Sequence, residues 1–381
     1  MKKTCLLLLI LAASFLTIQC ADIPAPVLND APANGILMVA GSDYQSGMLS
    51  AVSLYTRSGT ISTRYSPGIF TRLSELFADT SLNYSRNKFC IAYRLGRDSI
   101  QCSLPAQGYR SVFEVSTGSG SNPGQVIWLA DDRGVVILYG RNYLLMIDSS
   151  GNEIARTDLS AFSDNDGLPE ANSMYFDSGN NHLYVSVQRL NRNANDAIWP
   201  PAGQSFLLKY DTSGSSLVFI QSYQLPFLNP ISRIQRTFRN TLVMAAPGRF
   251  LNPYTLDGGV IEFDLGSGTF LSSPLTEVQA GIEISSVVLI SASLAAGFGY
   301  DSSLKSVFFR FIPGSGAITE ISRNSTGFFS GLVTDSERFI YAGVRDAFNP
   351  GIRTFDGDNN MAELGAIRPT DLPPADLLPV E

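Results

Sequence analysis

The sequence offers almost no histidine for catalysis or metal binding. Its 381 residues contain one histidine, His182, within the segment GNNHLYV. A Ser-His-Asp triad needs a histidine as its general base, and multi-histidine metal sites need several. A single histidine that opens an alternating apolar run is expected at the start of a β-strand. The sequence therefore argues against histidine-based catalysis and against histidine-rich metal sites.

Carboxylates are the remaining side chains that could catalyse a reaction. Glycoside hydrolysis uses two of them, placed on opposite sides of the scissile bond. In a fold of four-stranded repeats, the connections from second to third strand and from one repeat to the next lie on one face. Four carboxylates fall on that face: Glu170, Asp196, Asp257 and Glu283. The sequence does not show whether any two lie within range of each other. An enzyme of lyase, lactonase or glycoside-hydrolase type is therefore kept as an alternative to a non-catalytic protein.

Two acidic pairs have the spacing of calcium-binding turns. They are Asp164 and Asp166 in SDNDGLPE, and Asp356 and Asp358 in FDGDNN. Calcium prefers oxygen ligands, but neither pair continues into the full EF-hand loop with its terminal glutamate. Aspartates in such turns commonly accept hydrogen bonds from their own backbone. We therefore predict no metal site and no cofactor. The alternative is a calcium ion at these turns or at the mouth of the central channel that the fold predicted below would contain.

Arginine and aromatic side chains are concentrated in long loops on the same face as the four carboxylates. Such residues dominate binding hot spots because they combine a large contact area with directional hydrogen bonds. Two of the loops share a pattern, RFLNP and RDAFNP, and a third reads RLNRNANDAIWPP. The residues predicted to bind a partner are Arg189, Arg192, Trp199, Arg233, Arg249, Tyr254, Arg345 and Phe348. The alternative is structural: the Asn-Pro pairs begin turns, and the arginines brace neighbouring loops.

A smaller polar set is expected at the mouth of a central channel. These residues lie near the starts of the strands predicted to be innermost: Gln125, Ser173, Arg233, Ser286 and Ser330. A polar ring with one fixed positive charge could bind a carboxylate or sugar hydroxyls. The commoner outcome for such a ring is that water fills it.

The elements that would carry these residues repeat along the chain. From about residue 36 the sequence consists of short alternating runs separated by Gly, Asn, Asp and Ser, the pattern of β-strands and tight turns. A strand-turn-strand phrase recurs, as in LLMIDSSGNEIA and VIEFDLGSGTFL, with a glycine in each turn. The turn glycines are Gly59, Gly108, Gly151, Gly214, Gly268, Gly316 and Gly357. Their spacing of 41 to 63 residues suits four-stranded blades and predicts an all-β, seven-bladed β-propeller of antiparallel blades over residues 35–368.

The repeats resemble those of known bacterial propellers. GNNHLYVSV is similar to the strand signature of NHL repeats, and KYDTSGSSLVF is similar to that of quinoprotein-like repeats. The arrangement as a whole also resembles propellers built from YVTN repeats. This resemblance covers nearly all of the chain after the N-terminal segment and implies the propeller fold, but it implies no particular chemistry because one fold hosts many functions.

Closure of the ring is left open by the sequence. The segment before Ile36 is rich in proline and makes a poor inner strand. Either the ring closes imperfectly, or it borrows a strand from residues 369–381, which we otherwise predict to be a proline-rich C-terminal tail.

Cys90 and Cys102 are predicted to form a disulfide bond. They fall in KFCIAYR and SIQCSL, which are the second and third strands of the second blade, joined by LGRD. Adjacent strands would place the two thiols nearly opposite each other, and an even pair in an exported chain favours a disulfide.

The N-terminus has the parts of a bacterial export signal. Lys2 and Lys3 precede an apolar run that is too short to span a bilayer. The following LTIQC resembles a lipobox, in which the cysteine is acylated, although Gln19 replaces the usual small residue. We therefore predict a signal peptide over residues 1–19, lipidation of Cys20 and a tether over 20–34. A plain secreted protein is the alternative.

Charge and composition narrow the partners. The formal net charge is −7, and the basic residues are scattered and do not form a stripe that could follow a phosphate backbone. Nucleic acid is therefore not expected as a partner. The sequence predicts a monomer in the bacterial cell envelope that a lipid anchors to a membrane. We expect that membrane to be the outer membrane, with the protein on its periplasmic or surface face. There it would act as a non-catalytic binding or scaffolding module whose long-loop face meets an envelope protein or a glycan. In fold and address it also resembles the propeller lipoprotein of the outer-membrane barrel machinery, which implies a role as an assembly factor.

Overall fold

The structure, a computed structural model, describes residues 35–56, 79–196, 198–251 and 253–381, together with the backbone of residues 71–76. These residues fold almost entirely into short β-strands. The short alternating runs of the sequence account for this, because they suit half-buried strands and contain no sustained helical period.

The strands, in chain order, are as follows. They are β1 (Ile36–Ser42), β2 (Gly47–Ser53), β3 (Thr71–Leu76), β4 (Thr80–Ser85), β5 (Lys88–Tyr93), β6 (Ser99–Leu104), β7 (Arg110–Ser116), β8 (Pro123–Ala130), β9 (Arg133–Leu138), β10 (Tyr143–Ile147), β11 (Glu153–Asp158), β12 (Ala171–Asp177), β13 (His182–Val187), β14 (Phe206–Asp211) and β15 (Val218–Gln224). The remainder are β16 (Gln235–Arg236), β17 (Thr241–Ala246), β18 (Gly259–Asp264), β19 (Thr269–Phe270), β20 (Glu283–Ser291), β21 (Leu294–Tyr300), β22 (Ser306–Phe311), β23 (Ile318–Asn324), β24 (Gly327–Thr334), β25 (Phe339–Asp346), β26 (Gly351–Asp356), β27 (Ala362–Glu363), β28 (Arg368–Pro369) and β29 (Pro374–Val380).

Helical structure is minor in the described part of the chain. It contains one α-helix, α1 (Glu277–Ala280), which a capping box on Thr276 begins and Gly281 ends in the left-handed conformation. Within the same residues, no helix is long and apolar enough to cross a membrane.

The described strands form seven sheets, which are the blades of a propeller. Blade 1 has the strand order β29-β1-β2-β3; blades 2 to 6 are β4–β7, β8–β11, β12–β15, β16–β19 and β20–β23; blade 7 is β24–β27, with β28 beside β26. The first strands of most neighbouring blades contact one another around the centre, and in blade 5 it is the second strand, β17, that contacts β20 of blade 6. The predicted seven-bladed propeller of four-stranded antiparallel blades is confirmed.

Blade 4 shows how closely local pattern governs each blade. Its four strands, β12 to β15, coincide with the runs NSMYFD, HLYVSVQ, SFLLKYD and SLVFIQSYQ and pair in chain order. The turn after Asp177 is tight, and Asn181 has a φ of 54°, a conformation that asparagine tolerates better than most residues. His182 follows directly, opposite Asp177 in the register, at the start of a strand as expected.

The C-terminal segment closes the ring. β29 pairs antiparallel with β1, with Val380 opposite Ile36 and Pro374 opposite Gly41. Prolines are tolerated in β29 because it is the edge strand of its sheet. Of the two alternatives left by the sequence, the borrowed strand is therefore the one observed. The propeller continues to Val380, and most of residues 369–381 is an inner strand rather than a tail.

The predicted turn glycines mark the third-to-fourth hairpins. Six of them lie between the third and fourth strands of blades 2 to 7, and Gly59 lies outside the described residues. Gly151, in the β10–β11 hairpin, has a φ of 85°, which only glycine adopts at little cost.

Apolar side chains fill the spaces between blades. The second strands are almost fully buried, as in β9 and β13, whereas outer strands such as β7 alternate between exposed and half-buried positions. One cluster combines Ile137 and Met146 of blade 3 with Leu183 and Val185 of blade 4. Neighbouring blades therefore stabilise each other through shared apolar clusters.

The predicted disulfide is confirmed. Cys90 and Cys102 are directly opposite in the β5–β6 register, with Cα atoms 4.1 Å apart, and their sulfurs are bonded. The indole Nε1 of Trp128, in blade 3, donates a hydrogen bond to Cys90 Sγ at 3.3 Å. The disulfide thus lies in the core between blades 2 and 3.

Candidate functional site

The central channel opens into a cavity on one face of the propeller. This long-loop face carries the second-to-third connections of each blade and the connections between blades. The cavity there, called the upper cavity, has a volume of about 710 Å³. Its charged and amide lining residues include Asp79, Arg94, Gln125, Arg233, Arg345 and Asp376. They come from five different blades, so only ring closure brings them together.

Arg233 spans the channel. It precedes β16 in blade 5, and its Nη2 donates hydrogen bonds to Ser81 Oγ at 3.0 Å and Leu82 O at 2.7 Å in blade 2. The same nitrogen is 2.5 Å from Asp376 Oδ2 in blade 1. Asp376 Oδ2 also accepts a hydrogen bond from Leu82 N at 2.8 Å. Blades 1 and 2 are opposite blade 5 in a ring of seven, so this side chain crosses the channel and forms the floor of the upper cavity.

Arg345 connects blades 7 and 1 at the rim. The side chain is only 8 % exposed, and its Nη2 donates to Ser42 O at 3.0 Å. Its guanidinium carbon lies 4.7 Å from the ring centroid of Tyr44 and 5.3 Å from that of Phe328. Tyr44 is held above the cavity by this stacking, although 74 % of its surface is exposed.

Arg94 and Asp79 form the most open charged pair that lines the upper cavity. Arg94 Nε is 3.7 Å from Asp79 Oδ1, and it donates a hydrogen bond to Asn122 Oδ1 at 3.1 Å. The two side chains are 33 % and 43 % exposed. Asp79 therefore keeps accessible carboxylate oxygens, whereas the Asp376 oxygen is already shared between Arg233 and a backbone N–H.

The composition of the lining determines which ligands it would favour. Three arginines outnumber two aspartates, so the charged residues of the cavity carry a net positive charge of one. Ser81 and Gln125 add groups that can bind hydroxyls. Such a concave, partly apolar site suits a small anion with several hydroxyl groups. In the part of the chain that the structure describes, no three or more His, Cys, Asp or Glu side chains are grouped to hold a metal ion.

Comparison with solved structures shows similar propellers. A candidate 6-phosphogluconolactonase from Bacteroides uniformis has a TM-score of 0.59 and 11 % identity, with 89 % of this chain and 97 % of that chain covered. The periplasmic gluconolactonase PpgL of Pseudomonas aeruginosa has a TM-score of 0.55 and 14 % identity, covering 91 % and 99 %. A virginiamycin B lyase from Staphylococcus aureus has a TM-score of 0.50 and 12 % identity, covering 78 % and 87 %. At these identities the comparisons show the fold alone.

Sequence comparisons do not assign this chain to a family. No protein-family model matches the chain, and no curated protein is recognisably similar to it in sequence. The resemblance to NHL, YVTN and quinoprotein-like repeats therefore stays a prediction at the level of repeat motifs, while the propeller fold is established.

Two of the eight predicted binding residues line the upper cavity, namely Arg233 and Arg345. Others brace the loops of the same face. Arg192 Nε lies 2.8 Å from Glu170 Oε1, and its guanidinium stacks between Tyr139 and Trp199.

Of the remaining four predicted binding residues, three make contacts within the loops and one is exposed. Arg249 Nη2 is 3.1 Å from Asp196 Oδ2 and so joins the loops of blades 5 and 4. Arg189 Nη1 donates to the Gln204 carbonyl at 3.1 Å, and Tyr254 donates to the Gly281 carbonyl at 3.2 Å. Phe348, in contrast, is 87 % exposed.

The polar residues expected at the mouth are partly occupied with one another. Ser173 Oγ donates to Gln125 Oε1 at 3.3 Å and accepts from Ile234 N at 2.9 Å. Ser330 is buried and donates to the Pro374 carbonyl. Ser286 lines a separate cavity of about 180 Å³ that also includes Arg233. Gln125 and Arg233 are thus the members of this set that face the upper cavity.

The candidate catalytic carboxylates from the sequence are absent from the described residues that line the upper cavity. Glu170 is fully buried, and it accepts a hydrogen bond from Leu190 N at 2.9 Å besides its pairing with Arg192. Burial raises the pKa of Glu170 to about 7. Glu283 accepts hydrogen bonds from backbone N–H groups of the preceding blade, including that of Leu251.

The two acidic pairs considered for calcium have local hydrogen bonds. Asp164 Oδ1 accepts from Asp166 N, and Asp356 Oδ1 accepts from Asp358 N, each at 2.9 Å. Each pair thus contains an aspartate that accepts a hydrogen bond from the backbone of its own turn. The choice between calcium and no metal stays a prediction.

Three charged residues of the upper cavity were not predicted from the sequence: Asp79, Arg94 and Asp376. The predicted binding residues came mainly from long insertions, whereas Arg94 begins a short connection between β5 and β6. Asp376 lies in the proline-rich segment that was expected to be a tail. The signal that could have found Arg94 is its place directly after a second strand, since every such connection lies on the long-loop face whatever its length.

Proposed function

We propose that this protein is a hydrolase of the lactonase type that opens a small, anionic, hydroxyl-bearing lactone in the upper cavity. The observation that carries the proposal is the lining of that cavity, in which three arginines and two aspartates meet at one end of the channel. The likeness to two propellers named as gluconolactonases, over about nine-tenths of this chain, supports the choice of reaction. It favours the enzyme over the non-catalytic module that the sequence put first.

The chemistry needs a base, an oxyanion partner and a proton for the leaving group. Asp79 is the candidate base because its carboxylate is the more accessible of the two. It would take a proton from water as the water oxygen bonds to the lactone carbonyl carbon. Arg94, beside it, would stabilise the oxyanion. The ring C–O bond then breaks, and the proton passes from Asp79 to the leaving alkoxide, which gives the hydroxy acid.

Arg233 and Arg345 would bind rather than react. Both guanidinium groups are held by other contacts, Arg233 by Asp376 and Arg345 by Ser42. Fixed cations of this kind orient an anionic substrate without having to be ordered first.

The proposal is tested by hydrolysis of glucono-δ-lactone and 6-phosphogluconolactone by residues 34–381, measured in a pH-stat above the spontaneous rate. D79N is expected to lower kcat by about 100-fold or more, because it removes the general base. R345Q is expected to act mainly on KM. The control is E153Q, which removes an exposed carboxylate on the outer strand β11. Absence of hydrolysis above background, or equal rates in D79N and E153Q, would refute the proposal.

A non-catalytic binding role has one observation of its own. Tyr44 and Phe348 are 74 % and 87 % exposed on adjacent blades of the long-loop face. Exposed aromatic side chains near Arg345 suit contact with an envelope protein or a glycan. A pull-down from envelope extracts with wild type, Y44A and F348A tests this second candidate. Equal capture by all three would count against it.

We further propose that the chain is exported and lipid-anchored to a membrane of the bacterial envelope. The disulfide between Cys90 and Cys102 supports an oxidising compartment. Cys20 and the predicted signal and tether lie outside the described residues. Palmitate labelling of the full chain in cells is the test, with C20S as the variant. Labelling that persists in C20S would contradict acylation at Cys20.

A further inference from the structure

The channel has a second cavity at its opposite end. This lower cavity has a volume of about 620 Å³ and is lined by residues of the first-to-second hairpins, such as Arg86 after β4 and Ser178 after β12. Those hairpins lie on the face opposite the long loops. Gln125 and Arg233 line both cavities, so the two spaces meet at these side chains. Apart from Arg233, no residue that lines the lower cavity has a role in the proposed lactonase mechanism.

Aromatic rings form much of its wall. Tyr84 of blade 2, Trp128 of blade 3, and Tyr175 and Phe176 of blade 4 all line it. Trp128 is fully buried and therefore fixed, while the other three rings are half-buried. Tyr84, Phe176 and Tyr175 pack against the apolar clusters between the blades, but each remains half-buried where it lines the cavity. Half-buried aromatic rings that line a concave site can stack against a planar ligand.

The charged residues of the lower cavity are all positive. Its lining contains Arg86 and Arg233 and, among the described residues, no aspartate or glutamate. Arg86 is exposed, and the described part of the chain gives it no hydrogen-bond or ion-pair partner. Arg233 is engaged with Asp376 on the other side. Among the described residues of this lining, the free cation is therefore Arg86.

A buried acceptor without a partner also lines this space. Asn83 is 3 % exposed, its Nδ2 donates to Ser81 O at 3.2 Å, and its Oδ1 accepts no hydrogen bond from the described residues. A buried amide oxygen left unpaired costs free energy. A ligand or water in the cavity that donates a hydrogen bond would relieve that cost.

We infer that the lower cavity is a binding site for a small aromatic anion, an aryl carboxylate that carries a hydrogen-bond donor. The ring would stack on Tyr175 and Tyr84, and the carboxylate would pair with Arg86. A cationic ligand is disfavoured by Arg86, and a non-aromatic sugar acid would gain nothing from the aromatic lining. This site is separate from the upper cavity, and the inference does not depend on the proposed lactonase activity.

The test is isothermal titration calorimetry of residues 34–381 with 3-hydroxy-2-naphthoate as the probe. Gluconate and 1-naphthylmethylammonium serve as the non-aromatic anion and the aromatic cation. One molecule of the naphthoate is expected to bind per chain. R86Q should weaken binding by up to about fivefold, as expected for one exposed ion pair, and Y175L by about two- to tenfold through lost stacking.

Two matched variants distinguish binding in the lower cavity from binding in the upper cavity or to exposed arginines in general. R110Q removes an exposed arginine from the outer strand of the same blade, and R94Q removes one from the upper cavity. Both should bind the naphthoate as the wild type does. The inference is overturned if the naphthoate does not bind, if R86Q and Y175L bind it unchanged, if R94Q abolishes binding, or if the ammonium compound binds as tightly.

Discussion

Glu277 is a carboxyl group buried without a cation beside it in the described structure. Burial is the largest influence on its pKa and raises it to about 8. Hydrogen bonds accepted from Ile284 N at 2.7 Å and Gly258 N at 3.0 Å favour the ionised form but do not offset the burial. The nearby carboxylates of Glu283 and Asp257 raise the pKa further.

A raised pKa makes stability depend on pH. In the unfolded chain Glu277 ionises near its ordinary value of 4.5, so between that pH and about 8 the folded protein holds the extra proton. The free energy of unfolding should therefore fall as the pH rises through this range, by at most about 1.4 kcal/mol per pH unit. Urea unfolding at pH 5, 6, 7 and 8 should show a smaller slope for E277Q than for wild type. The exposed control E320Q should keep the wild-type slope, and an unchanged slope in E277Q would contradict the assignment.

In the β10–β11 hairpin, two features of position 151 favour glycine. Its φ is 85°, and a Cβ atom there would lie 2.5 Å from Phe113 Cδ2. Phe113 in turn packs against Trp128 beside the disulfide, with ring centroids 6.3 Å apart. A side chain at this position would therefore disturb the contact between blades 2 and 3.

Gly167 offers a matched comparison for Gly151. Its φ is 84°, but a Cβ atom there would meet nothing within 4 Å. G167A should cost about 1–2 kcal/mol through backbone strain alone. G151A should cost at least about 1 kcal/mol more, because Phe113 must move. Urea denaturation of both variants is the measurement, and equal costs would show that the hairpin accommodates the methyl group freely.

A strand from the far end of the chain closes the ring. β29 buries Leu377 and Val380 completely and pairs along the length of β1. Burying two aliphatic side chains contributes about 3–6 kcal/mol, which is a large share of the stability of an ordinary domain.

Removal of β29 should therefore unfold the protein or lower its melting temperature steeply. A chain ending at residue 372 is expected to lose the cooperative thermal transition seen for the chain ending at 381. Deletion of Glu381 alone, which is exposed and follows β29, is the control and should have little effect. Circular dichroism during heating measures both. A truncated chain that melts like the wild type would show that blade 1 is stable without its inner strand.

Much of the fold could be predicted because its signals are local. Alternating runs and turn glycines set the strands of blade 4 and the third-to-fourth hairpins, and the spacing of those hairpins predicted seven blades. Cys90 and Cys102 could be paired for the same reason, since one short hairpin places them opposite each other. The closing strand could not be chosen, because a proline-rich segment has a weak strand signal and its partner is at the other end of the chain.

The sequence by itself determined the kind of blade, the number of blades and the face on which each connection lies. Only the tertiary structure decided which side chains share the channel. Arg233 and Asp376 are 143 residues apart in the chain and meet across its centre. Their contact depends on ring closure, which fixes distances between blades that no local pattern encodes. Ring closure also places arginines and aspartates around the upper cavity. Around the lower cavity it places aromatic residues, and the charged residues described there are arginines.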